Sequence, residues 1–369
     1  RTVFINIDSN TSSPYTQRAM ATLTETAYYT RRTINWMFLA VIGYIILRIF
    51  WGTLITVWLI VFPPQAPPPS HAFGKLPAVQ FPAAPADLPK ITFKLETIEG
   101  RVPAASPSAA VYFMPKTPAN LLALTRTQDF AQRLQLSPTP IAESKNIYRF
   151  DDPELSLRRL RYDIVSNNFI LRYAFEQDTG VFAQRNLPAG TGGLAEARTM
   201  LQTYDLYVPD VSGGSNKISY LRLSGDRLIL TTSLSTADAL RVDFFRKSVA
   251  GIPVVTPYPD EGPVSFVFSG ATNLKKRILQ FAYTYWPIDY ETTATYALKP
   301  TSQAWGELQS GQGYIARYPK AGGTATVRTV TLAYYDSLDP QNYLQPVFVF
   351  EGDDGFLAYV PAVALPWTE

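Results

Sequence analysis

The residue types that carry most enzyme chemistry are scarce in this chain. Its 369 residues include no cysteine and a single histidine, His71. Disulfides, Cys-ligated zinc, thiol nucleophiles and mechanisms that need two histidines are therefore excluded. A Ser-His-Asp triad would depend on His71 as its base, but this residue lies in a proline-rich stretch and is interpreted as solvated. We expect no catalytic residue, no metal ligand and no cofactor.

Two acidic clusters are the remaining candidates for polar chemistry. One is residues 151–154 (DDPE), and the other consists of Glu351, Asp353 and Asp354. Neither cluster has the regular spacing of oxygen ligands found in a calcium loop, so both are interpreted as solvated turns. A glycosidase would need two carboxylates on opposite sides of a cleft, and the sequence leaves their placement open.

Phosphate and nucleic-acid binding are disfavoured. Residues 190–193 (GTGG) precede a predicted helix but lack the lysine and hydroxyl residue of a phosphate-binding loop. The 33 Lys+Arg against 30 Asp+Glu give a net charge of only +3, and the basic residues are scattered. Residues 283–290 (YTYWPIDY), with Tyr334 and Tyr335, suit sugar or protein recognition if exposed, but a place in the core is favoured.

The strongest pattern in the sequence is an apolar run over residues 36–62. Its 27 residues contain one charge, Arg48. As a helix the run is about 40 Å long, enough to cross the roughly 30 Å hydrocarbon layer of a membrane. A cleavable signal peptide is disfavoured, because the run is long and Pro63-Pro64 follow it in place of a small-residue cleavage site. We therefore expect a single transmembrane helix in a lipid bilayer.

Flanking charges predict the orientation of this helix. Arg18, Arg31 and Arg32 precede it, and residues 33–74 contain no further arginine except Arg48 and no lysine. The positive-inside rule then places residues 1–35 in the cytoplasm and residues 63–369 outside the cell membrane.

Arg48 and Gly52 are the candidate contact with a membrane partner. A charge in the middle of a span is costly unless it snorkels or is paired, and Gly52, four residues on, allows close approach of another helix. Snorkelling remains an alternative for Arg48. Small residues are otherwise sparse in the span, which favours a different membrane-protein subunit over self-dimerisation.

Beyond the span the pattern changes twice. Residues 63–89 contain nine prolines and predict a polyproline spacer. From Lys90 onward, short alternating runs and turn signals predict strands, with helices expected near 117–136, 194–204, 273–285 and from 301 to a stop at Gly311. The fold class is α+β, with helices on one face of antiparallel sheets. The predicted divisions are a tail 1–35, a span 36–62, a spacer 63–89 and modules 90–190, 191–300 and 301–369.

The last third of the chain resembles PepSY-like and YycI-type extracytoplasmic modules. Residues 301–315 carry the Ala-Trp-x-x-Leu-x-x-Gly pattern, and residues 343–352 (YLQPVFVFEG) resemble the closing strands of these modules. Residues 239–255 (ALRVDFFRKSVAGIPVV) resemble the middle of YycI-type proteins. The resemblance covers residues 235–363. It implies a single-span anchor and an outer domain that works by protein contact, without catalytic residues.

These observations favour a non-enzymatic, membrane-anchored extracytoplasmic protein that is an accessory or regulatory subunit of a bacterial cell-envelope complex. Two alternatives remain open. The first is an envelope glycan-binding protein or hydrolase, which would need a cleft with exposed aromatic side chains. The second is an inhibitor of an outer protease, which the PepSY-like resemblance implies by analogy.

Overall fold

A computed structural model describes residues 23–61, 68–83, 91–116, 121–320 and 323–369 of the chain. The predicted tail 1–35 is thus described from residue 23 onward. The chain divides into two compact units, Arg1–Gln65 and Ala66–Glu369.

The first unit contains one long helix, α1 (Leu23–Val61). Its stretch Arg31–Trp58 is long and apolar enough to cross a membrane, and none of it is buried in the structure. Thr53 and Thr56 donate their hydroxyl protons to backbone carbonyls one turn earlier, at Ile49 or Phe50 and at Gly52. The hydroxyl groups of both threonines are therefore satisfied within the helix. A signal sequence near the N-terminus would meet the same criteria of length and apolar composition.

The second unit is α+β and consists mostly of sheet. The strands in its described residues are β1 (Thr92–Leu95), β2 (Ser108–Phe113), β3 (Ile141–Ala142), β4 (Ile147–Asp151), β5 (Arg158–Asp163), β6 (Phe169–Tyr173), β7 (Asn216–Ser224), β8 (Arg227–Thr231), β9 (Ala239–Phe244), β10 (Val254–Val255), β11 (Val264–Ser269), β12 (Ile278–Tyr283), β13 (Asp289–Ala297), β14 (Tyr314–Arg317), β15 (Thr324–Tyr335), β16 (Tyr343–Gly352) and β17 (Leu357–Pro361). The helices are α2 (Ala123–Arg133), α3 (Gly190–Thr203), α4 (Pro209–Ser212), α5 (Leu274–Arg277) and α6 (Thr301–Gln309).

A nine-stranded antiparallel sheet within the described residues has the order β3-β4-β5-β6-β12-β11-β9-β7-β8. Alternate residues of its strands, such as Leu171, Val242 and Phe281, enter one core together with Phe130 of α2 and Leu201 of α3. The intervening residues of each strand point to the opposite side, because side chains alternate along a strand.

A second, eight-stranded sheet follows the order β1-β15-β16-β17-β14 in the described residues, with β2, β10 and β13 paired beside it. Strands β1 and β10 run parallel to β15, and the other pairs are antiparallel. Its core contains Ala304 and Leu308 of α6 and the fully buried Phe348 and Phe350 of β16.

The two sheets do not divide at the predicted boundaries of the three modules. The nine-stranded sheet takes strands from both sides of residue 190, and the eight-stranded sheet joins β2 to strands more than 170 residues later. Pairing between strands distant in sequence is set by packing of the folded sheet, which local patterns do not report.

The part of the predicted spacer that the structure describes, residues 68–83, packs against the second unit. Leu76 is fully buried, Gln345 donates an amide hydrogen bond to the Pro77 carbonyl over 2.8 Å, and Phe81 stacks on Tyr314 with centroids 5.2 Å apart. The described part of the predicted spacer is therefore held against the second unit. Its apolar side chains find partners on the sheet, and the stretches 62–67 and 84–90 lie outside the described residues.

The helix predictions were correct in part. The helix expected over 194–204 is α3 and begins earlier, because residues 190–193 already belong to it, and α6 is followed by Gly311 with a φ of 81°. The start predicted at 117–118 lies outside the described residues. A helix over 273–285 was wrong: α5 ends at Arg277, and residues 278–283 form β12 between β11 and β6.

Candidate binding groove

The structure removes the predicted acidic clusters from consideration as free sites. Asp152 is buried, and its carboxylate lies 2.9 Å from Arg158 and 3.3 Å from Lys275. Asp353 lies 2.6 Å from Arg328. Burial alone would raise the pKa of Asp152, but hydrogen bonds from the backbone N–H of Glu154 and from Arg158 outweigh it and hold the pKa below its ordinary value. Asp152 is thus an ion-paired structural residue, and its interpretation as part of a solvated turn was wrong.

The aromatic stretch 283–290 is mainly internal. Tyr283 is buried in the core of the nine-stranded sheet. Tyr285 and Tyr290 donate hydrogen bonds to the buried carboxylate of Asp210, over 3.0 and 2.6 Å. Tyr334 and Tyr335 are also buried. The burial of Tyr283, Tyr334 and Tyr335 agrees with the place in the core that the sequence favoured, whereas Tyr290 is 42% exposed.

His71 is not freely solvated. Its ring stacks on Trp367 with centroids 3.8 Å apart and 11° between the planes, and it meets Tyr296 edge-on at 5.3 Å. The backbone N–H groups of Ser70 and His71 donate to the Thr295 carbonyl. These contacts hold residues 70 and 71 against the rest of the second unit. Among the described residues, the ring contacts of the imidazole are aromatic and include no carboxylate.

Arg48 and Gly52 both lie on α1, one helical turn apart and hence on the same side of the helix. A Cβ atom added at Gly52 would meet nothing within 4 Å. The open surface at Gly52 therefore lies on the same side of α1 as Arg48.

A feature that sequence reasoning missed is a groove on the side of the nine-stranded sheet opposite α2 and α3. We call it the sheet groove. It encloses about 420 Å³, and its lining includes Leu221, Val267 and Leu279 together with the charged residues Arg172, Lys217, Arg227, Arg241, Glu176, Asp226, Asp260 and Glu261. The apolar residues come from β7, β11 and β12. A peptide-sized segment fits the space by volume.

Each charged side chain of the sheet groove has a partner of opposite sign. Arg172 pairs with Glu176, and Lys217 pairs with Asp260. Arg241 lies 3.2 Å from Glu261, and Arg227 lies 3.9 Å from Asp226. The surface around the groove is therefore charged but balanced, which favours an occupant with an apolar centre and polar ends of both signs.

Two aspartates at the groove, Asp260 and Asp243, have pKa values shifted in opposite directions. Burial would raise the pKa of Asp260, but the hydrogen bond from Lys217 and the charge of Arg317 outweigh it and lower the pKa. For Asp243, burial raises the pKa against the opposing charge of Arg241. It is completely buried beneath Arg241 and Gly262, however, and faces no open space.

The β7–β8 hairpin provides one wall of the groove through Leu228 and Leu230. The turn Ser224-Gly225-Asp226-Arg227 places Gly225 at a φ of 64°, which a two-residue hairpin loop of this kind requires. The turn was recognised in the sequence. The wall of the groove was not recognised in the sequence, because it depends on the position of β8 at the end of the sheet.

A second groove, here called the aromatic groove, lies beside the short strand β14. It encloses about 450 Å³ and is lined by four aromatic rings, those of Phe93, Tyr258, Tyr314 and Tyr318, and by Pro82 among others. Aromatic rings that line a groove can stack on sugar faces or on proline-rich chains. Within the described residues, His, Asp and Glu form no group that could hold a metal ion.

No protein-family model matches this chain, and no curated protein matches it either. Among solved structures it is similar to the crystal structure of an uncharacterized protein from Eubacterium rectale ATCC 33656 at 1.45 Å resolution. The similarity covers 74% of this chain and 89% of that one, with 14% sequence identity and a TM-score of 0.39. At these values the similarity assigns no function.

Proposed function

We propose that the chain is a single-pass cell-membrane protein whose second unit lies outside the cell and acts by binding other envelope proteins. The observation that carries this proposal is α1: its stretch Arg31–Trp58 is long and apolar enough to cross a membrane and has no buried part. Left in water, such a helix would expose more apolar surface than a soluble protein tolerates. The arginines before the span, and the absence of lysine and arginine from residues 63–74 directly after it, support a cytoplasmic N-terminus.

Binding, rather than catalysis, fits the sheet groove. Its carboxylates are paired with Lys or Arg, and the chain supplies neither a thiol nor a second imidazole. An apolar floor surrounded by balanced charges is what protein recognition uses, with the apolar centre giving affinity and the charges giving orientation. This supports an accessory or regulatory subunit of a membrane complex, as the PepSY-like and YycI-type resemblance implies. The arrangement of α2 and α3 about one core supports the proposed helices on one face of the sheet.

The topology is tested by labelling in intact bacterial cells. Because the chain has no cysteine, Ile98→Cys introduces the only thiol, at a side chain that is fully exposed. A membrane-impermeant maleimide is expected to label this variant without permeabilisation. The matched variant Ser12→Cys, before the span, is expected to react only after permeabilisation. Labelling of Ile98→Cys only in opened cells would overturn the proposal.

Partner contact through the sheet groove is tested with a photo-crosslinking amino acid at Ser219, which lines the groove. A discrete crosslinked product is expected in intact envelopes, and the product is expected to disappear when Arg172→Glu is added. The same amino acid at Ile98 is the control for random collision. Equal products from both positions would exclude the groove as the contact.

A second candidate function, binding of an envelope glycan, is favoured by the aromatic groove. Tyr258 is 46% exposed there and presents its ring to any ligand. Full-length protein in detergent is expected to sediment with peptidoglycan, and Tyr258→Ala is expected to weaken this by about tenfold if the ring stacks on a sugar. Leu274→Ala, at a side chain that is 75% exposed and outside the groove, is the control. Failure of the full-length protein to sediment would remove this candidate.

A further inference from the structure

The outer strand β8 of the nine-stranded sheet is an open and apolar edge. Within the described residues it pairs with β7 alone. Leu230 is 69% exposed and Ile229 is 40% exposed, and Arg227 at its start is its only charge. Natural edge strands are usually protected by proline, lysine, a bulge or a covering loop. β8 has no proline or lysine, and its register with β7 is regular. Its outer edge is therefore available for pairing with another strand.

The hairpin turn decides which backbone groups of β8 face outward. Ser224 and Arg227 are paired across the two-residue turn, in which the carbonyl of Ser224 accepts a hydrogen bond from the N–H of Arg227. Hydrogen-bonded and non-hydrogen-bonded pairs then alternate along the hairpin, so Ile229 directs its N–H and C=O toward β7. The N–H and C=O groups of Leu228 and Leu230 point away from the sheet and are free to pair with an added strand.

The sequence of β8, Arg-Leu-Ile-Leu-Thr, is symmetric in its apolar residues about Ile229. We propose that two copies of this chain pair antiparallel through β8, with Ile229 opposite Ile229 of the second copy. Leu228 then lies opposite Leu230 in both halves of the pair. These are the residues whose backbone groups face outward, so the register that matches leucine with leucine also forms the hydrogen bonds.

The charges agree with this register. Arg227 lies opposite the uncharged Thr231 of the second copy, and the two Arg227 residues are separated by four residue steps, about 13 Å along the strand. That distance exceeds the screening length of about 8 Å at physiological salt. A shift of the register by two residues toward the turn would instead place Asp226 opposite Leu230. The centred register is therefore favoured, and a symmetric pattern of this kind fits a second copy better than an unrelated segment.

Directly opposed residues share one face of a sheet, so Leu228 and Leu230 of both copies meet on the side that carries the sheet groove. The two grooves then lie on the same face of a continuous sheet, on either side of a cluster of four leucines. This inference goes beyond the proposed function, and it holds whether the grooves bind protein, glycan or neither.

The first test uses the full chain in detergent micelles and measures the mass of its protein component by light scattering across a range of concentrations. The wild-type chain is expected to dimerise. Ile229→Lys places like charges opposite each other and is expected to weaken dimerisation by about tenfold or more. Ile98→Lys, at a fully exposed side chain that lies outside the nine-stranded sheet, is expected to leave it unchanged. A monomeric wild-type chain, or a dimer that survives Ile229→Lys, would overturn the proposal.

The second test measures the register of the two paired β8 strands by cysteine crosslinking, and it needs no destabilising substitution. A non-hydrogen-bonded antiparallel pair has Cα atoms about 4.5 Å apart, within the range that a disulfide spans. Since the chain has no cysteine, Ile229→Cys is expected to form a disulfide-linked dimer on mild oxidation, and Ile98→Cys is not. Arg227→Cys mixed with Thr231→Cys is expected to crosslink more than either variant alone. Equal crosslinking of Ile229→Cys and Ile98→Cys would contradict the register.

Discussion

Arg246 and Asp336 are ninety residues apart in the sequence and form a buried ion pair, with Nε 2.9 Å from the carboxylate. The same guanidinium lies 2.8 Å from Asp210 and donates to the Trp286 carbonyl over 2.7 Å. Arg246 follows β9 of the nine-stranded sheet, while Asp336 follows β15 of the eight-stranded sheet. One cation therefore joins elements of both sheets and pairs with two buried carboxylates, and Lys247 adds a second positive charge 3.2 Å from Asp210.

Replacing Arg246 with alanine is expected to destabilise the second unit strongly. Asp210 and Asp336 would be left buried without their main counter-charge, and breaking such a pair typically costs about 3–5 kcal/mol. The free energy of unfolding, measured on the full chain in a non-ionic detergent, checks this. Arg227→Ala is the matched control, because this arginine is 85% exposed and its removal is expected to change the free energy by less than about 0.5 kcal/mol. A loss below about 1 kcal/mol for Arg246→Ala would contradict the role of the network.

The lowered pKa of Asp152 predicts a dependence of stability on pH. A carboxyl whose pKa is lower in the folded than in the unfolded state stabilises the fold above its unfolded pKa, about 3.9 for aspartate, and loses this contribution as the pH falls through the folded value. The wild-type chain is therefore expected to be more stable than Asp152→Asn at neutral pH. The difference is expected to stay constant down to about pH 5 and to shrink below about pH 4.

Thermal unfolding of the two proteins between pH 3 and pH 7 measures this difference. Asp354→Asn serves as the control, since Asp354 is exposed and its φ of 55° suits asparagine equally well. A stability difference for Asp152→Asn that does not change with pH would show that the ion pair with Arg158 contributes nothing through its charge.

Gly193 is predicted to be required for close packing of α3 on the sheet. A Cβ atom at this position would lie 2.1 Å from Cδ2 of Leu240 in β9, whereas at Gly192 the nearest atom is 3.8 Å away. Gly193→Ala is therefore expected to cost about 1–3 kcal/mol of stability. Gly192→Ala is expected to be neutral or to stabilise by a few tenths of a kcal/mol, because alanine favours helix. Equal melting temperatures for the two variants would mean that Leu240 moves aside without cost.

Local signals in the sequence predicted those parts of the fold that local geometry decides. Gly311 with its positive φ follows the end of α6, and Gly225 turns the β7–β8 hairpin, as their positions in the sequence indicated. Residues 278–283 were mistaken for helix because Ile278, Leu279 and Phe281 also fit a helical stripe. They form a strand because they pair with β6, more than 100 residues earlier in the sequence, and with β11, about ten residues earlier.

The sheet groove had no local signal at all. Arg172, Lys217 and Arg241 stand on β6, β7 and β9, and only the order of strands in the sheet brings them to one surface. In the sequence each is an ordinary charged residue in an alternating run. In residues 68–83, the side chains of Phe73, Leu76, Val79 and Phe81 are more apolar than a free linker needs, but their partners on the folded unit are distant in sequence.

The last prediction concerns the membrane contact proposed for α1. Arg48 and Gly52 lie on one side of the helix, and Phe50 lies about 200° around the helix from Arg48, on the opposite side. If a partner helix pairs with the guanidinium and approaches Gly52, then Arg48→Leu and Gly52→Leu should each reduce the partner recovered with the full chain by about tenfold. Phe50→Leu should not reduce it. Recovery is measured by quantitative mass spectrometry after gentle detergent extraction. Unchanged recovery with both variants would show that Arg48 snorkels to the membrane surface and that partners bind the second unit alone.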